Sequence, residues 1–440
     1  MDASSYFKGK KITVMGLGLL GRGVGDIRFL AEQGASLIVT DLKSKEQLAQ
    51  SLASLSSFPD IQYTLGEHKI EDFHNRDLIL KAPQTPVDSI YIEEAKKWGT
   101  PVTMSTALFA RFAREMGATI VGITGTRGKT TTTELIAHIL KTAGKKILLG
   151  GNIRGVSTLA LLPELTPDTI AVLELDSWQL QGFREEELSP DVAVFTTFYP
   201  DHMDYYAGNM EAYLEDKAEI FVHQRVGDTL VLGAQAAREV LAEYPAPPVK
   251  PILTSVSDVQ NWALQIPGGH NLENAACAKA ATLALGVSEE AVREAVESFA
   301  GVPGRLELVR EVNTVAIYND TTATTPEATL AALRAVSSKG KRPILIMGGY
   351  DKGLDMHELL TEVPRLAKRV ILLSGTGTER ILPFLEDASV YDELKPAVEE
   401  AVRYALPGDA ILFSPAFASF GMFTNEYDRG DQFNAIVQAL

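Results

Sequence analysis

The sequence predicts an α/β protein of three blocks, each with a mainly parallel sheet and helical crossovers. Short runs rich in β-branched residues alternate with longer amphipathic stretches along almost the whole chain, a pattern typical of parallel sheets. The chain has 440 residues, which corresponds to two to four domains of roughly 100–200 residues each. An apolar fraction of 45% and a charged fraction of 22% exclude a disordered or fibrous chain.

The predicted blocks are separated by changes in local pattern. The first boundary follows a helix that closes near Phe112, just before a new apolar strand. The second lies in a glycine- and proline-rich segment, 300–304, which has the composition of a linker. The resulting blocks are residues 1–112, 113–302 and 303–440. The most regular predicted strands cover residues 11–15, 36–40, 118–121, 192–195, 344–347 and 370–373.

The charge balance limits the classes of partner. The chain carries 41 basic and 57 acidic residues, for a formal net charge of -16, which is the opposite of the basic surface that nucleic-acid binding requires. No apolar run approaches the ~18–20 residues that span a bilayer, and the first residues, from Met1 and Asp2 onward, lack the features of a signal peptide. We therefore expect a cytoplasmic protein that binds neither nucleic acid nor membrane.

The strongest local motif lies in residues 121–131, where an apolar strand leads into a glycine-rich turn and then a helix. Small residues allow main-chain N–H groups to surround a phosphate, and the start of a helix adds a favourable dipole. Lys129 can reach the β- and γ-phosphates, and Thr130 can bind magnesium. Because Ile123 stands where the standard motif has its first glycine, the sequence predicts a variant phosphate loop for a nucleoside triphosphate.

A second glycine-rich turn covers residues 16–21 and is followed by Asp41 at the end of the next predicted strand. This spacing is the dinucleotide-binding fingerprint. By itself it is compatible with NAD, with another nucleotide diphosphate or with no ligand. An NAD-dependent dehydrogenase is thus one alternative for the whole protein.

Polar residues follow two of the predicted strands in the second block. Glu174 ends one buried strand and His202 comes after another. The carboxyl ends of parallel strands meet at the ligand crevice of an open α/β sheet. We therefore expect both side chains to face the phosphates bound by Lys129, where a carboxylate and an imidazole are suitable metal ligands.

Taken together, these motifs and several others resemble the Mur ligase family in order and spacing. The resemblance covers nearly all of the chain, and third-block segments 318–324, 348–355 and 414–419 are most similar to members that add D-glutamate. The other segments that carry it are 124–131, 150–153, 173–180, 201–204, Lys217, 270–274 and 305–307.

The resemblance implies an ATP-dependent amide ligase of three α/β domains. These are a Rossmann-type UDP-binding domain, a central P-loop ATPase domain and a C-terminal Rossmann-like domain. The implied reaction joins D-glutamate to UDP-N-acetylmuramoyl-L-alanine through an acyl phosphate, in peptidoglycan precursor synthesis by a monomer. It also explains the dinucleotide fingerprint without a nicotinamide.

The resemblance further implies a role for individual residues. Lys129, His202 and Lys217 are the expected catalytic residues, and Lys217 matches a lysine that carbon dioxide carbamylates. Two magnesium ions are expected on Thr130, Glu174, His202 and carbamylated Lys217. ATP is expected to contact Thr124, Gly125, Thr126, Arg127, Gly128, Lys129, Thr130, Thr131, Asn152, Asn271, Asn274, Arg305 and Asp320. The UDP-substrate is expected at Gly18, Leu19, Asp41 and Leu42, and the amino acid at Thr324, Lys352, Ser419 and Tyr427.

Some positions depart from the family pattern and leave the amino acid open. Thr322 stands where D-glutamate-adding members usually have a lysine, and Glu426 and Tyr427 reverse the usual aromatic-acidic order. A ligase for another amino acid, such as L-glutamate, is therefore an alternative. An ATP-dependent binding module without ligation is another, but it gives no role to Lys217 or to the third block.

Overall fold

The computed structural model describes residues 3–19, 21–266, 268–337 and 342–440. Met1 and Asp2, part of the expected signal-free start, and Leu20 of the first glycine turn lie outside the described residues. The chain forms two compact units. One consists of residues 1–259 and 273–295, and the other of residues 260–272 and 296–440.

The first sheet has five parallel strands in the order β3-β2-β1-β4-β5. The strand order reverses between β1 and β4, so the loops after these two strands border the crevice in which open α/β sheets bind ligands. Its strands are β1 (Lys11–Met15), β2 (Ser36–Asp41), β3 (Gln62–Leu65), β4 (Leu78–Lys81) and β5 (Val102–Thr103). The accompanying helices are α1 (Ala3–Phe7), α2 (Arg22–Glu32), α3 (Ala49–Ala53), α4 (Ile90–Lys97) and α5 (Ser105–Met116).

The second sheet has six parallel strands in the order β11-β10-β9-β6-β8-β7. Strand β6, which leads into the phosphate loop, therefore lies between β8 and β9. The strands are β6 (Thr119–Thr124), β7 (Ile147–Gly151), β8 (Ile170–Glu174), β9 (Val192–Phe195), β10 (Thr229–Leu232) and β11 (Ile252–Leu253). The helices are α6 (Lys129–Thr142), α7 (Ser177–Glu185), α8 (Met210–Ala218), α9 (Ala234–Glu243), α10 (Gly269–Ala284) and α11 (Glu289–Ser298).

Helix α5 joins the cores of these two sheets. Phe109 and Phe112 are buried in a continuous apolar cluster that includes residues of both sheets. Each buried phenylalanine contributes about 1.5–3 kcal/mol relative to an exposed one. The predicted first boundary at Phe112 thus falls within α5, which continues to Met116.

The third sheet is mixed, in the order β12-β13-β17-β14-β15-β16. Only β12 is antiparallel, and it pairs with β13 at the edge of the sheet. The strands are β12 (Glu307–Val312), β13 (Val315–Asn319), β14 (Ile344–Gly348), β15 (Arg369–Leu373), β16 (Ser389–Tyr391) and β17 (Ala410–Phe413). The helices are α12 (Pro326–Ser337), α13 (His357–Leu366), α14 (Thr376–Ile381), α15 (Leu394–Tyr404) and α16 (Glu426–Gln438). Short 3₁₀ turns cover Ile70–Phe73, Leu159–Glu164, Val256–Asp258 and Leu382–Phe384.

The predicted α/β architecture is confirmed. The strands expected over 11–15 and 192–195 have the predicted bounds, and the other four predicted strands match observed strands to within a few residues. Helices long and apolar enough to cross a membrane do not occur in the described parts of the chain.

Candidate functional site

The phosphate loop between β6 and α6 has space only for glycine at two positions. Gly125 has a φ of +144°, and a Cβ added there would lie 2.1 Å from Thr196 Oγ1. Gly128 has a φ of +84°, and its Cβ would lie 2.3 Å from Asn274 Oδ1. The positive φ favours glycine at both positions, and at Gly125 the main chain of Thr197 also leaves no room for a Cβ. Main chain of this kind at the start of a helix can surround a phosphate.

Lys129, the first residue of α6, is folded over the phosphate loop. Its Nζ donates hydrogen bonds to the main-chain oxygens of Gly125 at 3.0 Å and Thr126 at 3.1 Å. Thr130 and Thr131 follow it in the first turn and are half-buried. The first turn of α6 therefore carries a cation and two hydroxyl groups beside the loop.

Lys217, from α8, reaches the same loop. Its side chain is buried, and its Nζ donates to the main-chain oxygen of Gly125 at 2.9 Å and lies 3.4 Å from Thr124 Oγ1. The ammonium group also lies 4.9 Å from the ring centre of Tyr213. Burial, with a smaller effect of the Lys129 charge, holds the pKa of Lys217 well below its usual value. The lowered pKa favours the neutral amine form of this side chain.

Glu174 ends β8 beside the phosphate loop. One carboxylate oxygen, Oε1, accepts a long hydrogen bond of 3.4 Å from Asn152 Nδ2. The other oxygen, Oε2, is buried and has no hydrogen-bond partner among the described residues. An unsatisfied buried carboxylate oxygen is costly, and an oxygen of this kind matches the hard ligands that magnesium prefers. Glu174 therefore fits a magnesium ion, as does the hydroxyl of Thr130 in the first turn of α6.

His202 lies on the loop after β9. It has a φ of +54°, its ring centre lies 4.4 Å from that of Trp178, and its Nε2 is 3.6 Å from Asp201 Oδ2. In the described ranges of the chain, no group of three or more His, Cys, Asp or Glu side chains is arranged to bind a metal ion. The predicted ligands thus do not form a protein-only metal cage, and a magnesium ion here would need phosphate oxygens or water as further ligands.

The glycine turn after β1 is organised by Asp41. Its carboxylate Oδ2 accepts hydrogen bonds from the main-chain N–H groups of Leu17 and Gly18, at 2.9 and 3.0 Å, and its Oδ1 accepts from Lys43 N at 2.9 Å. Asp41 is therefore buried beneath the glycine turn, whose conformation its hydrogen bonds stabilise. The predicted neighbours Leu19 and Leu42 are exposed, at 57% and 67%, and such large exposed apolar side chains are available to a ligand.

Three of the predicted amino-acid residues, Thr324, Ser419 and Lys352, follow the carboxyl ends of the neighbouring strands β13, β17 and β14. Lys352 Nζ lies 3.3 Å from Thr324 Oγ1. The segments carrying Lys352 and Ser419 are joined by two main-chain hydrogen bonds between Tyr350 and Ala418. Tyr427 is half-buried in the first turn of α16.

The predicted adenosine residues are divided between the two units. Asn274 belongs to the first unit, where its side chain packs on Gly128, whereas Asn271, Arg305 and Asp320 belong to the second. The carboxylate of Asp320 is buried and accepts hydrogen bonds from Leu306 N and Ser414 Oγ. Burial raises its pKa to about 7.

Two arginines that contact segments of the predicted site were not themselves predicted from the sequence. Arg22, the first residue of α2, donates a 2.8 Å hydrogen bond to Asn152 Oδ1. Arg429 in α16 is completely buried and donates to Thr321 Oγ1, to Thr321 O and to Phe417 O. No local sequence pattern indicates either residue. The contacts of Arg22 with Asn152 and of Arg429 with Thr321 join positions more than a hundred residues apart, and only the contact of Arg429 with Phe417 is closer along the chain.

Comparison with known proteins identifies the family. Three family profiles match successive parts of the chain: "Mur ligase MurD-like, N-terminal domain" over 10–104, "Mur ligase middle domain" over 123–263 and "Mur ligase, glutamate ligase domain" over 304–417. A Roseiflexus sp. (strain RS-1) protein is 39% identical, over 98% of this chain and 99% of its own length. The chain belongs to the Mur ligase family. The resemblance seen in the motifs is thereby confirmed.

The related proteins are named for one particular reaction of the Mur ligase family. The Roseiflexus protein is named UDP-N-acetylmuramoylalanine–D-glutamate ligase, and a Borreliella burgdorferi (strain ZS7) protein of the same name is 35% identical over 98% of both chains. Among solved Mur ligases, UDP-N-acetylmuramate-alanine ligase from Thermotoga maritima has a TM-score of 0.63 at 20% identity and covers 98% of this chain and 99% of its own. MurF ligase from the same organism, in complex with ADP, has a TM-score of 0.60 at 17% identity, over 100% of this chain and 97% of its own. At these identities the two structures bear on the fold alone.

Proposed function

We propose that this chain is an ATP-dependent amide ligase that joins D-glutamate to UDP-N-acetylmuramoyl-L-alanine in peptidoglycan precursor synthesis. The observation that carries the proposal is its 35–39% identity, over nearly the whole chain, to proteins named for this reaction. The phosphate loop with two lysines on one main-chain oxygen supports the phosphoryl-transfer half of the reaction. The contact between Lys352 and Thr324 beside the third sheet supports the ligation half.

The first half-reaction would activate the acceptor. A carboxylate is a poor electrophile, so its oxygen attacks the γ-phosphorus of ATP, the bond to the β-phosphate oxygen breaks, and an acyl phosphate and ADP are formed. Lys129 and the N–H groups of residues 125–130 would stabilise the charge that develops on the phosphoryl oxygens. Magnesium, when bound, would supply Lewis-acid neutralisation of the phosphates, with Thr130 and Glu174 as ligands from this chain.

Carbamylation would give Lys217 a second role. The neutral Nζ attacks the carbon of carbon dioxide, one C–O π bond opens, and the nitrogen releases a proton to water, so that a neutral amine becomes an anionic carbamate. This step needs an unprotonated amine, and the burial that lowers the pKa of Lys217 favours it. The carbamate would place anionic oxygen ligands next to Thr124 and Gly125.

The second half-reaction forms the amide. The amine of D-glutamate attacks the carbonyl carbon of the acyl phosphate, the C–O bond to phosphate breaks, and the amine loses a proton. His202 is the proposed proton acceptor or second metal ligand, since its imidazole is partly exposed beside Asp201. The carboxylates of the amino acid would be held by Thr324, Lys352, Ser419 and Tyr427. Because Thr322 stands where D-glutamate-adding members usually have a lysine, this site has one cation fewer than theirs.

The remaining predictions form part of the same proposal. It comprises a cytoplasmic monomer with domains 1–112, 113–302 and 303–440, and two magnesium ions. Gly18, Leu19 and Leu42 would contact the UDP group, with Asp41 shaping the turn between them. Asn152 and Arg127 would lie near the phosphates of ATP, and Asn271, Asn274, Arg305 and Asp320 near its adenosine.

Phosphate release from ATP tests the proposal directly. We expect release that requires both UDP-N-acetylmuramoyl-L-alanine and D-glutamate, with little or none when L-glutamate, other amino acids or no amino acid is supplied. Release that does not depend on an amino acid would contradict ligation and favour a binding module. Equal release with L-glutamate would overturn the assignment of the amino acid.

A further inference from the structure

A chain of hydrogen bonds connects the start of α2 to Glu174. The guanidinium of Arg22 donates to Asn152 Oδ1 at 2.8 Å. Asn152 in turn donates to Glu174 from its main chain and from its side chain. Its main-chain N lies 2.7 Å from the main-chain oxygen of Glu174, and its Nδ2 lies 3.4 Å from Oε1. The chain ends at Glu174 Oε2, which is buried and without a partner in the described ranges.

Arg22 decides the direction in which donors and acceptors follow one another in this series of hydrogen bonds. A side-chain amide has an acceptor end and a donor end, and either could face a given neighbour. Because a guanidinium can only donate, Arg22 requires the oxygen of Asn152 to face it, and the NH₂ group must then face Glu174. Without Arg22 the amide could rotate and bring its oxygen against the carboxylate, which has no proton to donate.

The surrounding main chain leaves little freedom for another arrangement. Gly151, just before Asn152, has a φ of +87°, and a Cβ there would lie 2.0 Å from the main-chain oxygen of Glu174. Close by, Gly25 of α2 packs against Ser157, with an added Cβ 2.5 Å from Ser157 Cβ, and Ser157 Oγ donates to Asp26 Oδ1 at 2.6 Å. Helix α2 is thus held firmly against the segment 151–157 that carries Asn152.

We propose that Arg22 is a positioning residue for Glu174: by orienting the Asn152 amide, it fixes one carboxylate oxygen and leaves the other free for a magnesium ion bound with the nucleotide. This inference rests on the proposed function only in taking Glu174 as a ligand of that ion. It assigns to a residue of the first sheet a part in forming the nucleotide site of the second.

Nucleotide binding without turnover tests the inference. The affinity for ADP is measured by calorimetry with magnesium and with a chelator in place of magnesium, and the ratio of the two affinities is the readout. We expect Arg22→Met to lower this ratio about tenfold, as for loss of a hydrogen bond between charged and polar groups, with the affinity in chelator unchanged. Arg22→Gln, which retains a donor, should give a smaller loss, and Arg22→Met combined with Asn152→Ala should lose no more than Asn152→Ala alone.

The matched control is Arg28→Met, on the exposed side of the same helix, where the guanidinium donates to Ser54 O. It should leave the ratio unchanged. The inference would be overturned if Arg22→Met left the ratio unchanged, or if it lowered the ADP affinity equally with and without magnesium. It would also be overturned if Arg28→Met lowered the ratio as much, or if ADP binding to the unmodified protein did not depend on magnesium. If Arg22→Met does not fold, Arg22→Gln decides by the same ratio. The binding experiment contains neither the UDP-linked acceptor nor an amino acid. A failed ligation assay would therefore contradict the proposed function without affecting the result for Arg22.

Discussion

The Nζ atom of Lys217 lies 2.9 Å from the main-chain oxygen of Gly125, the same oxygen that accepts a hydrogen bond from Lys129. A positive charge on Lys217 would be repelled by that of Lys129, and this repulsion contributes to the lowered pKa of Lys217. In the proposed carbamate form, the anionic side chain of Lys217 would instead be attracted to Lys129. The arrangement is compatible with the carbamate proposed for Lys217.

Lys217→Ala should abolish ligation, because it removes the amine that carbon dioxide would modify. Short carboxylic acids added to the assay should restore part of the activity by occupying the space of the carbamate. The measurement is D-glutamate-dependent phosphate release, with Lys141→Ala, on the exposed end of α6, as the control. Full activity of Lys217→Ala would remove the carbamate from the mechanism.

Gly128→Ala should weaken nucleotide binding strongly. The new methyl group would lie 2.3 Å from Asn274 Oδ1 in a left-handed backbone, so the Asn274 side chain or the phosphate loop must shift. Gly144→Ala is the control, since Gly144 also has a positive φ, +72°, but nothing lies within 4 Å of the added Cβ. Both variants carry a backbone cost of roughly 1–2 kcal/mol, and calorimetry should show a lower ADP affinity for Gly128→Ala alone. Equal affinities would argue that the loop does not contact the nucleotide.

Asp26→Asn should stabilise the protein above about pH 6. Burial raises the pKa of Asp26 from 3.8 to about 6 in the folded state, so between these values the folded state binds more protons than the unfolded state. Stability is then lost as the pH rises through this window. Two pKa units correspond to about 3 kcal/mol at most, and the Asn side chain retains an acceptor for Ser157.

The measurement for Asp26→Asn is the difference in Tm from the unmodified protein at pH 4 and at pH 8, which should be small at the lower pH and positive at the higher. Asp168→Asn is the control. The exposed Asp168 carboxyl has a pKa below its usual value because of a hydrogen bond with Thr166, so its replacement should not stabilise the protein at pH 8. A Tm difference independent of pH would show that Asp26 does not titrate in this window.

Arg429→Met should raise the KM for D-glutamate by about tenfold or more, with little change in the KM for ATP. The buried guanidinium joins Thr321 to Phe417, and these segments lead to Thr324 and Ser419. Its loss leaves buried main-chain oxygens unpaired, each at a cost of about 1–3 kcal/mol. Arg403→Met, on the exposed surface of α15, is the control. Equal increases in both KM values would indicate general destabilisation, and Arg429→Lys, which retains the charge, should recover part of the effect.

Much of the fold and the centre of the site could be predicted from the sequence because their signals are local. The strand, glycine turn and Lys129-Thr130 pair are contiguous, and the conformation of Gly128 follows from the steric needs of a tight turn before a helix. The alternation of strands and helices likewise predicts parallel sheets from neighbouring residues. The antiparallel edge strand β12 depends on its pairing with β13 in the third sheet and was not predicted.

The sequence by itself therefore determined the α/β class, the phosphate loop and the family of this protein, since each depends on residues close together along the chain or on their order. Only the tertiary structure decided how the carboxylates are used. Asp41 and Asp320, predicted as ligand contacts, turn their oxygens to internal donors, whereas one buried oxygen of Glu174 has no partner in the described parts of the chain. The contacts of Arg22 with Asn152 and of Arg429 with Thr321 join residues 130 and 108 positions apart. Hydrogen bonds reach only about 3 Å, so such partners are defined by how the sheets and helices pack and not by spacing along the chain.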